Sequence, residues 1–202
     1  MCGRYGFSLQ DSELERIVQI ARQNTDAPCS APTVISEEIA PTSIVPVLLA
    51  RHGRITAEFQ HWGIRNRYGR TMINARAETV TEKPMFRRSI AAQRCVIPAS
   101  GYYEWDKARH CYYFTLPDQP LYLGGIYDIV DGQSCFVILT TAPNASVCGI
   151  HDRMPLILSR QDIRPWLLDA GAALHLLTCV PPLLTVQRTD GQLSFDPPGP
   201  AA

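Results

Sequence analysis

The first regular pattern of apolar and polar positions lies near the start of the chain. Its apolar positions repeat at the i, i+3, i+4 and i+7 spacing of one helix face and comprise Leu14, Ile17, Val18 and Ala21. Ser12 precedes them, and Glu15 follows three residues after it, which is the arrangement of a capping box. The pattern therefore predicts an amphipathic helix over residues 12–22 that is capped by Ser12.

From residue 43 onward, the pattern changes to short stretches typical of β-strands. Residues 43–50 and 54–62 are separated by Gly53, which predicts a hairpin. A short helix is predicted over residues 83–92. Five more strand-like stretches then follow at close spacing, at residues 95–97, 102–105, 112–116, 121–126 and 135–141. This spacing is typical of a curved antiparallel sheet or barrel.

The remaining segments supply loops, one more helix and the chain end. Residues 24–42 contain proline and polar breaks and are predicted to be a loop, whereas Ser159 can cap a helix to about Asp169, with Gly171 just past its end. The proline-rich residues 196–202 are predicted to be a flexible tail. With neither repeats nor a domain boundary in the sequence, we predict one α+β domain over residues 1–202, with a mainly antiparallel, barrel-like β core and peripheral helices.

Composition narrows the class of protein. The 202 residues are 46% hydrophobic, with neither an apolar run long enough to span a bilayer nor a basic-then-apolar leader, so a soluble, cytoplasmic protein is expected. Neither a metal nor an organic cofactor is implied, and a monomer is favoured. The seven cysteines are not arranged in C-x-x-C pairs, which argues against a disulfide framework or zinc site. Six are expected to be mostly buried, reduced packing residues: Cys29, Cys95, Cys111, Cys135, Cys148 and Cys179.

Charge is unevenly distributed along the chain. The formal net charge is zero, which argues against strong nonspecific binding of nucleic acid. Residues 51–94, however, contain ten basic and three acidic residues, a net charge of +7. A phosphate-binding groove would explain this segment, but a solvated loop explains Arg65 to Arg70 as well.

Cys2 has a chemistry that no other cysteine of the chain shares. Removal of Met1 would leave an amine with a pKa of about 8 beside a thiol with a pKa of about 8.5. Such a 1,2-aminothiol traps an aldehyde twice, because the nitrogen forms an imine and the sulfur then closes a thiazolidine ring. A start codon followed by a chance cysteine explains the dipeptide alone, so the interpretation depends on the rest of the chain.

Four internal segments place polar residues where a strand or loop ends: 73–79, 95–105, 140–144 and 150–155. Taken singly, Asn74 could be a turn amide, Glu104 a surface carboxylate and His151 a capping residue beside Asp152. Together with Cys2-Gly3-Arg4, the segments 74–79, 95–105 and 150–155 resemble the SRAP family, named for SOS-response-associated peptidase. They stand in the order that the family has, from residue 2 to residue 155.

The resemblance implies a reaction. Members of the family crosslink to abasic sites in single-stranded DNA, and their processed terminal cysteine traps the sugar aldehyde as a thiazolidine. By this resemblance Cys2 is the nucleophile and Asn74 positions its α-amine. Glu104 and His151 move the protons, with His151 the better acid toward the deoxyribose oxygen and Glu104 the better base. Because the same imine permits β-elimination of the 3′ phosphate, weak lyase activity is also expected, as is association with the nucleoid on damaged DNA.

Contacts to DNA are expected to be independent of base sequence, since a lesion occurs anywhere. Arg4, Arg76 and Arg153 are the first choices for phosphate contacts, because they lie inside the matching segments. The predicted set is completed by Arg88, Met154, Trp62, Tyr68 and Phe86. The last three could stack on bases, although a buried core role is the alternative for Trp62 and Phe86. Single-stranded DNA is favoured because its sugars are reached without unstacking a duplex.

The chain also departs from the family. Where members carry an Asn shortly before the Ala-Pro that is here Ala40-Pro41, this chain has Glu37-Glu38-Ile39, and an anionic pair weakens a phosphate contact. The segment after Trp62 lacks the tandem tryptophans of some members, and the C-terminus lacks the usual Val-Asn ending.

Two other classes of function stay open from sequence. An N-terminal-nucleophile or cysteine peptidase would use the Cys2 thiolate with His151 as base and Asn74 or Glu104 as orienting group, and removal of Met1 could then be autocatalytic. A noncatalytic nucleic-acid-binding module would need only the basic segment and its interleaved aromatic residues.

Overall fold

The computed structural model describes residues 2–24, 37–66 and 68–189. Within these ranges the chain forms fifteen strands, several of only two residues, and four α-helices. The strands are β1 Arg4–Gly6, β2 Glu38–Ile39, β3 Ile44–Arg51, β4 Arg54–Trp62, β5 Ile64–Arg65, β6 Thr71–Met72, β7 Asn74–Arg76, β8 Arg94–Ala99, β9 Gly101–Trp105, β10 Cys111–Thr115, β11 Leu121–Val130, β12 Gln133–Thr141, β13 Met154–Pro155, β14 Ile157–Leu158 and β15 Thr185–Arg188. The helices are α1 Ser12–Gln23, α2 Pro84–Ala92, α3 Ile163–Leu168 and α4 Ala170–Leu176, with 3₁₀ turns at Ala77–Thr79 and Arg160–Asp162.

Five strands close into a barrel in the order β12-β4-β3-β8-β11, because β11 also pairs with β12. Four of these five pairings are antiparallel, and β12 pairs with β4 in parallel through Cys135 opposite His61. The prediction of a single-domain α+β fold with a barrel-like, mainly antiparallel core is thus confirmed. Closure leaves each of the five barrel strands with two neighbours.

A second sheet, in the order β15-β10-β9-β1-β2, carries the N-terminal strand. In it β1 lies between β2 and β9, with Tyr5 opposite both Ile39 and Tyr102. Tyr5 and Tyr102 are fully buried in the same apolar cluster as the barrel residues Val47 and Leu49. The two sheets therefore share one core, and packing against the barrel fixes the position of the chain's first strand.

The predicted hairpin at Gly53 is confirmed. His52 and Gly53 both have positive φ angles, +51° and +74°, as a two-residue turn of the I′ type requires. Arg51 is consequently paired with Arg54, and the pairing continues through Ile44 opposite His61.

The first two helices follow the sequence pattern with one correction. The buried face of α1 consists of the four predicted apolar residues, and α2 begins at Pro84, directly after Lys83. The cap of α1, however, is Asp11, whose carboxylate accepts hydrogen bonds from the backbone N–H groups of Glu13 and Leu14 at 2.9 and 3.2 Å. The predicted cap Ser12 is wrong because the carboxylate one residue earlier satisfies these donors, and Ser12 becomes the first helical residue.

The helix predicted from Ser159 to Asp169 is divided in the structure. A 3₁₀ turn and α3 end at Leu168, where the extended backbone of Asp169 begins a second helix. The Asp169 carboxylate accepts a hydrogen bond from the N–H of Ala172 at 3.0 Å and so caps α4. Gly171 therefore lies in the first turn of α4 and does not end a helix.

The cysteines of the described ranges are all free. Cys95, Cys111 and Cys135 are buried as predicted, Cys179 is partly exposed, and Cys148 is exposed, contrary to the prediction. Cys29 and the tail at residues 196–202 lie outside the described residues. Among the helices that are described, we find none with the length and apolar character needed to cross a membrane.

Candidate active site

The start of the chain is held by the barrel. Cys2 is fully buried immediately before β1, and its backbone carbonyl accepts a hydrogen bond from the side-chain amide of Asn74 at 2.9 Å. Asn74 is itself buried at the start of β7, which pairs in parallel with the barrel strand β12. The contact expected from sequence was to the α-amine, whereas the observed contact is to the carbonyl group of the same residue. Asn74 Oδ1 is buried without a hydrogen-bond partner in the described part of the chain, so it remains as an acceptor.

A carboxylate and an imidazole face each other beside this segment. Glu104 is buried on β9, and its Oε1 lies 3.8 Å from His151 Nε2. This separation exceeds a direct hydrogen bond. His151 Nδ1 accepts a hydrogen bond from the backbone N–H of Arg153 at 3.0 Å. The same nitrogen lies 3.1 Å from the Arg153 carbonyl oxygen and 3.2 Å from Asp152 Oδ1, so the tautomer depends on which of these contacts is made. Nε2 is the nitrogen that faces Glu104.

The charge of Glu104 affects the pKa of the Cys2 thiol. Burial raises the pKa of the Cys2 thiol well above its ordinary value, and the negative charge of Glu104 raises it further. The thiol is therefore protonated near neutral pH. The pKa of the Tyr102 hydroxyl is raised by burial and by the same two groups, Cys2 and Glu104. The structure thus places Asn74 and Glu104 near Cys2, with His151 facing Glu104.

Two of the three arginines predicted to bind phosphate are paired with carboxylates. Arg4 Nη1 lies 3.1 Å from Glu38 Oε2, and its guanidinium lies 5.9 Å from the centre of the Trp105 ring. Arg153 forms a bidentate pair with Glu78 at 2.6 and 2.8 Å. Arg76 is exposed on β7. Because an ion pair must open or be shared when a phosphate binds, Arg76 is the most accessible of the three cations.

Three of the other predicted DNA contacts are corrected by the structure. Trp62 is fully buried between Tyr5 and Phe136, and its indole N–H donates to the Ile73 carbonyl oxygen at 3.0 Å. Phe86 and Met154 are also buried. These side chains pack in the core and have no free face on which a base could stack. Tyr68, with 71% of its surface exposed, and Arg88 both lie on the surface.

Sequence reasoning missed the polar residues that support the site. Glu78 lies inside a matching segment but was given no role, and its partner Arg153 is 75 positions away. Asn144 donates to the carbonyl oxygens of Pro181 and Pro182 at 3.0 and 2.7 Å, just ahead of the segment that carries His151. Periodicity gives no signal for such long-range pairs. Within the described ranges, no group of three or more His, Cys, Asp or Glu side chains is placed to hold a metal ion.

In this α+β protein a closed barrel holds the buried Cys2 beside the amide of Asn74, with the carboxylate of Glu104 and the imidazole of His151 facing each other close by. The chain matches the family described as SOS response associated peptidase (SRAP) over residues 1–187, and it belongs to that family.

Relatives of the chain carry a common description. It is 39% identical over 116 residues to the abasic site processing protein YoaM of Bacillus subtilis (strain 168), covering 52% of this chain and 51% of that protein. It is 27% identical over 178 residues to the abasic site processing protein YedK of Escherichia coli (strain K12), covering 83% and 79%. The alignments with YoaM and with two further Bacillus subtilis abasic site processing proteins, YoqW and YobE, span about half the length of those relatives.

Solved structures show the same fold. A crystal structure of a protein from Bacteroides thetaiotaomicron superimposes with a TM-score of 0.74 at 24% identity, covering 93% of this chain and 91% of that one. A second, from Bordetella bronchiseptica, gives a TM-score of 0.74 at 23% identity and covers 94% and 100%.

Proposed function

We propose that this protein processes abasic sites in single-stranded DNA by forming a covalent thiazolidine crosslink through Cys2, after Met1 has been removed. The observation that carries the proposal is the hydrogen bond from Asn74 to the Cys2 carbonyl, next to a buried carboxylate and an imidazole. Family membership and the shared description of the relatives as abasic site processing proteins support it.

The first step uses the amine. An opened abasic sugar presents an aldehyde at C1′, and a terminal amine with a pKa of about 8 is partly unprotonated near neutral pH. Asn74 holds the Cys2 carbonyl, and its unpartnered Oδ1 is an acceptor for the amine of the same residue. A C–N bond forms as the amine attacks C1′, and the two protons that the nitrogen gives up pass to the aldehyde oxygen, with His151 Nε2 as the relay. The C–O bond then breaks, so that water leaves and the imine remains.

The second step uses the thiol. Since burial and Glu104 keep the Cys2 thiol protonated, its proton must be removed as sulfur attacks. Glu104 is the base for this proton. A C–S bond forms at C1′, the imine electrons move to nitrogen, and nitrogen takes the proton that the thiol lost, so the five-membered ring closes without net gain or loss of atoms.

The imine has a competing fate that accounts for weak lyase activity. Loss of a proton from C2′ and breakage of the 3′ carbon–oxygen bond would release the 3′ phosphate by β-elimination. Closure of the thiazolidine ring consumes the same imine, so a correctly placed thiol suppresses strand cleavage. We propose that trapping dominates, since Cys2 carries both groups on one residue.

DNA is proposed to bind mainly through its phosphates. Exposed Arg76, with Arg88 and Tyr68, supplies the accessible contacts, and Arg4 contributes once its pair with Glu38 opens. Phosphate contacts carry no sequence preference, as a lesion sensor requires. A site on single-stranded DNA in the cytoplasm or nucleoid fits this mode of binding.

The decisive experiment begins with the intact mass of the purified protein, which shows whether Met1 has been removed. The processed protein is then mixed with a single-stranded oligonucleotide that carries one abasic site. We expect an adduct that resists heat and SDS and has the summed mass less one water. Cys2→Ala and undamaged DNA are the controls. Failure of processed wild type to form the adduct, or an undiminished adduct with Cys2→Ala, would contradict the proposal.

A peptidase is the second candidate, because the description of the family contains the word. Cysteine peptidases attack with a thiolate, and their nucleophiles have a lowered pKa. Burial and Glu104 move the Cys2 thiol in the opposite direction. Incubation of the processed protein with casein separates the two functions: proteolysis that depends on Cys2, without an adduct on abasic DNA, would favour the peptidase.

A further inference from the structure

We propose that Glu78 is a positioning residue that holds Arg153 and thereby keeps the His151 imidazole aimed at Glu104. This inference rests on the proposed function, since His151 and Glu104 are the proton-transfer groups of that reaction. It concerns two residues, Glu78 and Arg153, of which the sequence left the first without a role and assigned the second to DNA.

The first support is the fixation of the Arg153 side chain. Nη1 and Nη2 donate to the two carboxylate oxygens of Glu78 at 2.6 and 2.8 Å, and Nη2 also donates to the Thr140 carbonyl oxygen at 2.6 Å. The Arg153 side chain is only 14% exposed, whereas that of Glu78 is 47% exposed. The guanidinium is thus clamped between the 3₁₀ turn and the barrel strand β12, in a fork geometry that Lys could not reproduce.

The second support is the backbone of the same arginine. Its N–H lies 3.0 Å from His151 Nδ1 and its carbonyl oxygen lies 3.1 Å from the same nitrogen, so the backbone of Arg153 holds this edge of the imidazole in either tautomer. Directly after Arg153, β13 pairs with β12 through Met154 opposite Thr141. Residues 151–153 are therefore held in place at Arg153. A shift of the Arg153 side chain would also move the Arg153 backbone groups that contact the imidazole.

The third support is that one short segment serves both halves of the site. Asn74, which binds the Cys2 carbonyl, and Glu78, which binds Arg153, are four positions apart. Between them, Arg76 pairs with Thr140 on β12, whose carbonyl accepts from Arg153. Residues 74–78 thus connect the nucleophile to the imidazole through the barrel wall.

The competing interpretation is that Arg153 binds phosphate and that Glu78 merely occupies it in the absence of DNA. The two interpretations predict opposite results for Glu78→Gln. If Glu78 competes with phosphate, the substitution frees Arg153 and raises affinity for undamaged single-stranded DNA. If Glu78 positions Arg153, affinity stays within about twofold of wild type and the crosslinking rate falls, on the order of tenfold or more.

The experiment uses full-length protein whose loss of Met1 has been confirmed by mass. Single-turnover crosslinking rates are measured between about pH 5 and about pH 9, a range that spans the ordinary titration of His, for wild type, Glu78→Gln and Glu78→Asp. Affinity for undamaged DNA is measured on the same proteins. Glu82→Gln, which removes an exposed carboxylate close by in sequence, is the matched control. We expect a slower rate and an altered pH profile for Glu78→Gln, partial recovery for Glu78→Asp, and wild-type behaviour for Glu82→Gln.

A second readout does not depend on DNA. Nitrogen NMR of the His151 ring reports which nitrogen carries the proton, and we expect the balance of the two tautomers to change in Glu78→Gln but not in Glu82→Gln. Unchanged tautomer, rate and pH profile in Glu78→Gln would overturn the inference, as would tighter binding of undamaged DNA with an unchanged rate. A wild type that forms no crosslink would instead contradict the proposed function, and the tautomer measurement would still test Glu78. If Glu78→Gln fails to fold, the same comparisons are made with Glu78→Asp.

Discussion

The side-chain amide of Asn74 donates a hydrogen bond to the backbone carbonyl oxygen of Cys2 at 2.9 Å, across 72 positions of the chain. It links the first described residue of the protein to the strand β7 on the barrel wall. A terminal residue ordinarily frays, because few contacts hold it. This bond holds the backbone of Cys2 against the barrel wall.

Asn74→Ala is expected to slow crosslinking to abasic DNA by on the order of tenfold or more, because misplacement of reacting groups by even 1 Å is costly. Asn24→Ala is the matched control: Asn24 Nδ2 also donates to a backbone carbonyl, that of Ala57, at 3.2 Å. Each hydrogen bond is worth about 1 kcal/mol, and Asn24→Ala also loses the one from Nδ2 to Thr56 Oγ1 at 2.7 Å, so the control variant loses at least as many bonds. Only Asn74→Ala should lose crosslinking rate per folded molecule, measured by single-turnover gel assays. Equal rates in the two variants would show that Asn74 has only a structural role.

Glu38→Gln is expected to tighten binding to single-stranded DNA by roughly twofold to fivefold and to steepen its salt dependence by about one phosphate contact. The reason is the ion pair between Arg4 Nη1 and Glu38 Oε2, whose side chains are 15% and 23% exposed. Fluorescence anisotropy at several salt concentrations measures both quantities. Glu37→Gln removes an equal charge from the exposed neighbour and should give a smaller gain. If the two variants bind alike, the pairing with Arg4 has no special effect.

Cys2 is expected to resist alkylation by iodoacetamide in the folded protein. Burial, then the charge of Glu104, raises the pKa of its thiol, so the reactive thiolate is scarce at neutral pH and becomes populated only as pH rises far into the alkaline range. Cys148 is exposed and serves as an internal control. Peptide mass spectrometry after brief labelling should find Cys148 modified and Cys2 protected. Preferential labelling of Cys2 near pH 7 would mean that its thiol is activated, as the peptidase function requires.

Local features of the fold were the most predictable from sequence. The buried face of α1 follows from the spacing of its apolar residues. The β3–β4 hairpin follows from Gly53, which readily adopts a positive φ angle. Both signals come from residues close together in sequence. The cap at Asp11 and the division of the last helix at Asp169 were not predicted. Several polar residues near a helix start can accept from the same backbone N–H groups, and the backbone geometry decides which of them does so. Barrel closure through the parallel pairing of β12 and β4 leaves no local signal.

The candidate site also had a predictable part and an unpredictable part. The resemblance predicted Cys2, Asn74, Glu104 and His151 as site residues; in the structure Asn74 contacts Cys2, and His151 faces Glu104. The resemblance could not reveal that Trp62 lies in the core. A tryptophan looks the same in sequence whether it stacks on a base or, as here, on Phe136. Nor could the resemblance reveal that Arg4 and Arg153 are paired, because each partner is chosen by tertiary packing over 34 and 75 positions.

Arg94 provides a test of the scaffold beneath the site. Its buried guanidinium donates to the carbonyl oxygens of Trp166 at 2.6 Å, of Ala91 at 2.7 Å and of Ile90 at 3.0 Å, so it joins the ends of α2 and α3. Burial lowers the pKa of Arg94, and the carbonyl groups at the helix ends compensate the charge. Removal of the guanidinium therefore leaves several buried acceptors without a donor.

Arg94→Met keeps most of the apolar stem and is expected to lower the free energy of unfolding by about 2–4 kcal/mol. Arg94→Lys keeps the charge but loses the planar fork, so its loss should be smaller, about 1–2 kcal/mol. Urea unfolding followed by tryptophan fluorescence measures both, with Arg88→Met on the exposed face of α2 as a control that should change stability by less than about 0.5 kcal/mol. Equal stability of Arg94→Met and Arg88→Met would mean that the freed carbonyl groups are satisfied by water, and that α2 and α3 are held together by their apolar contacts alone.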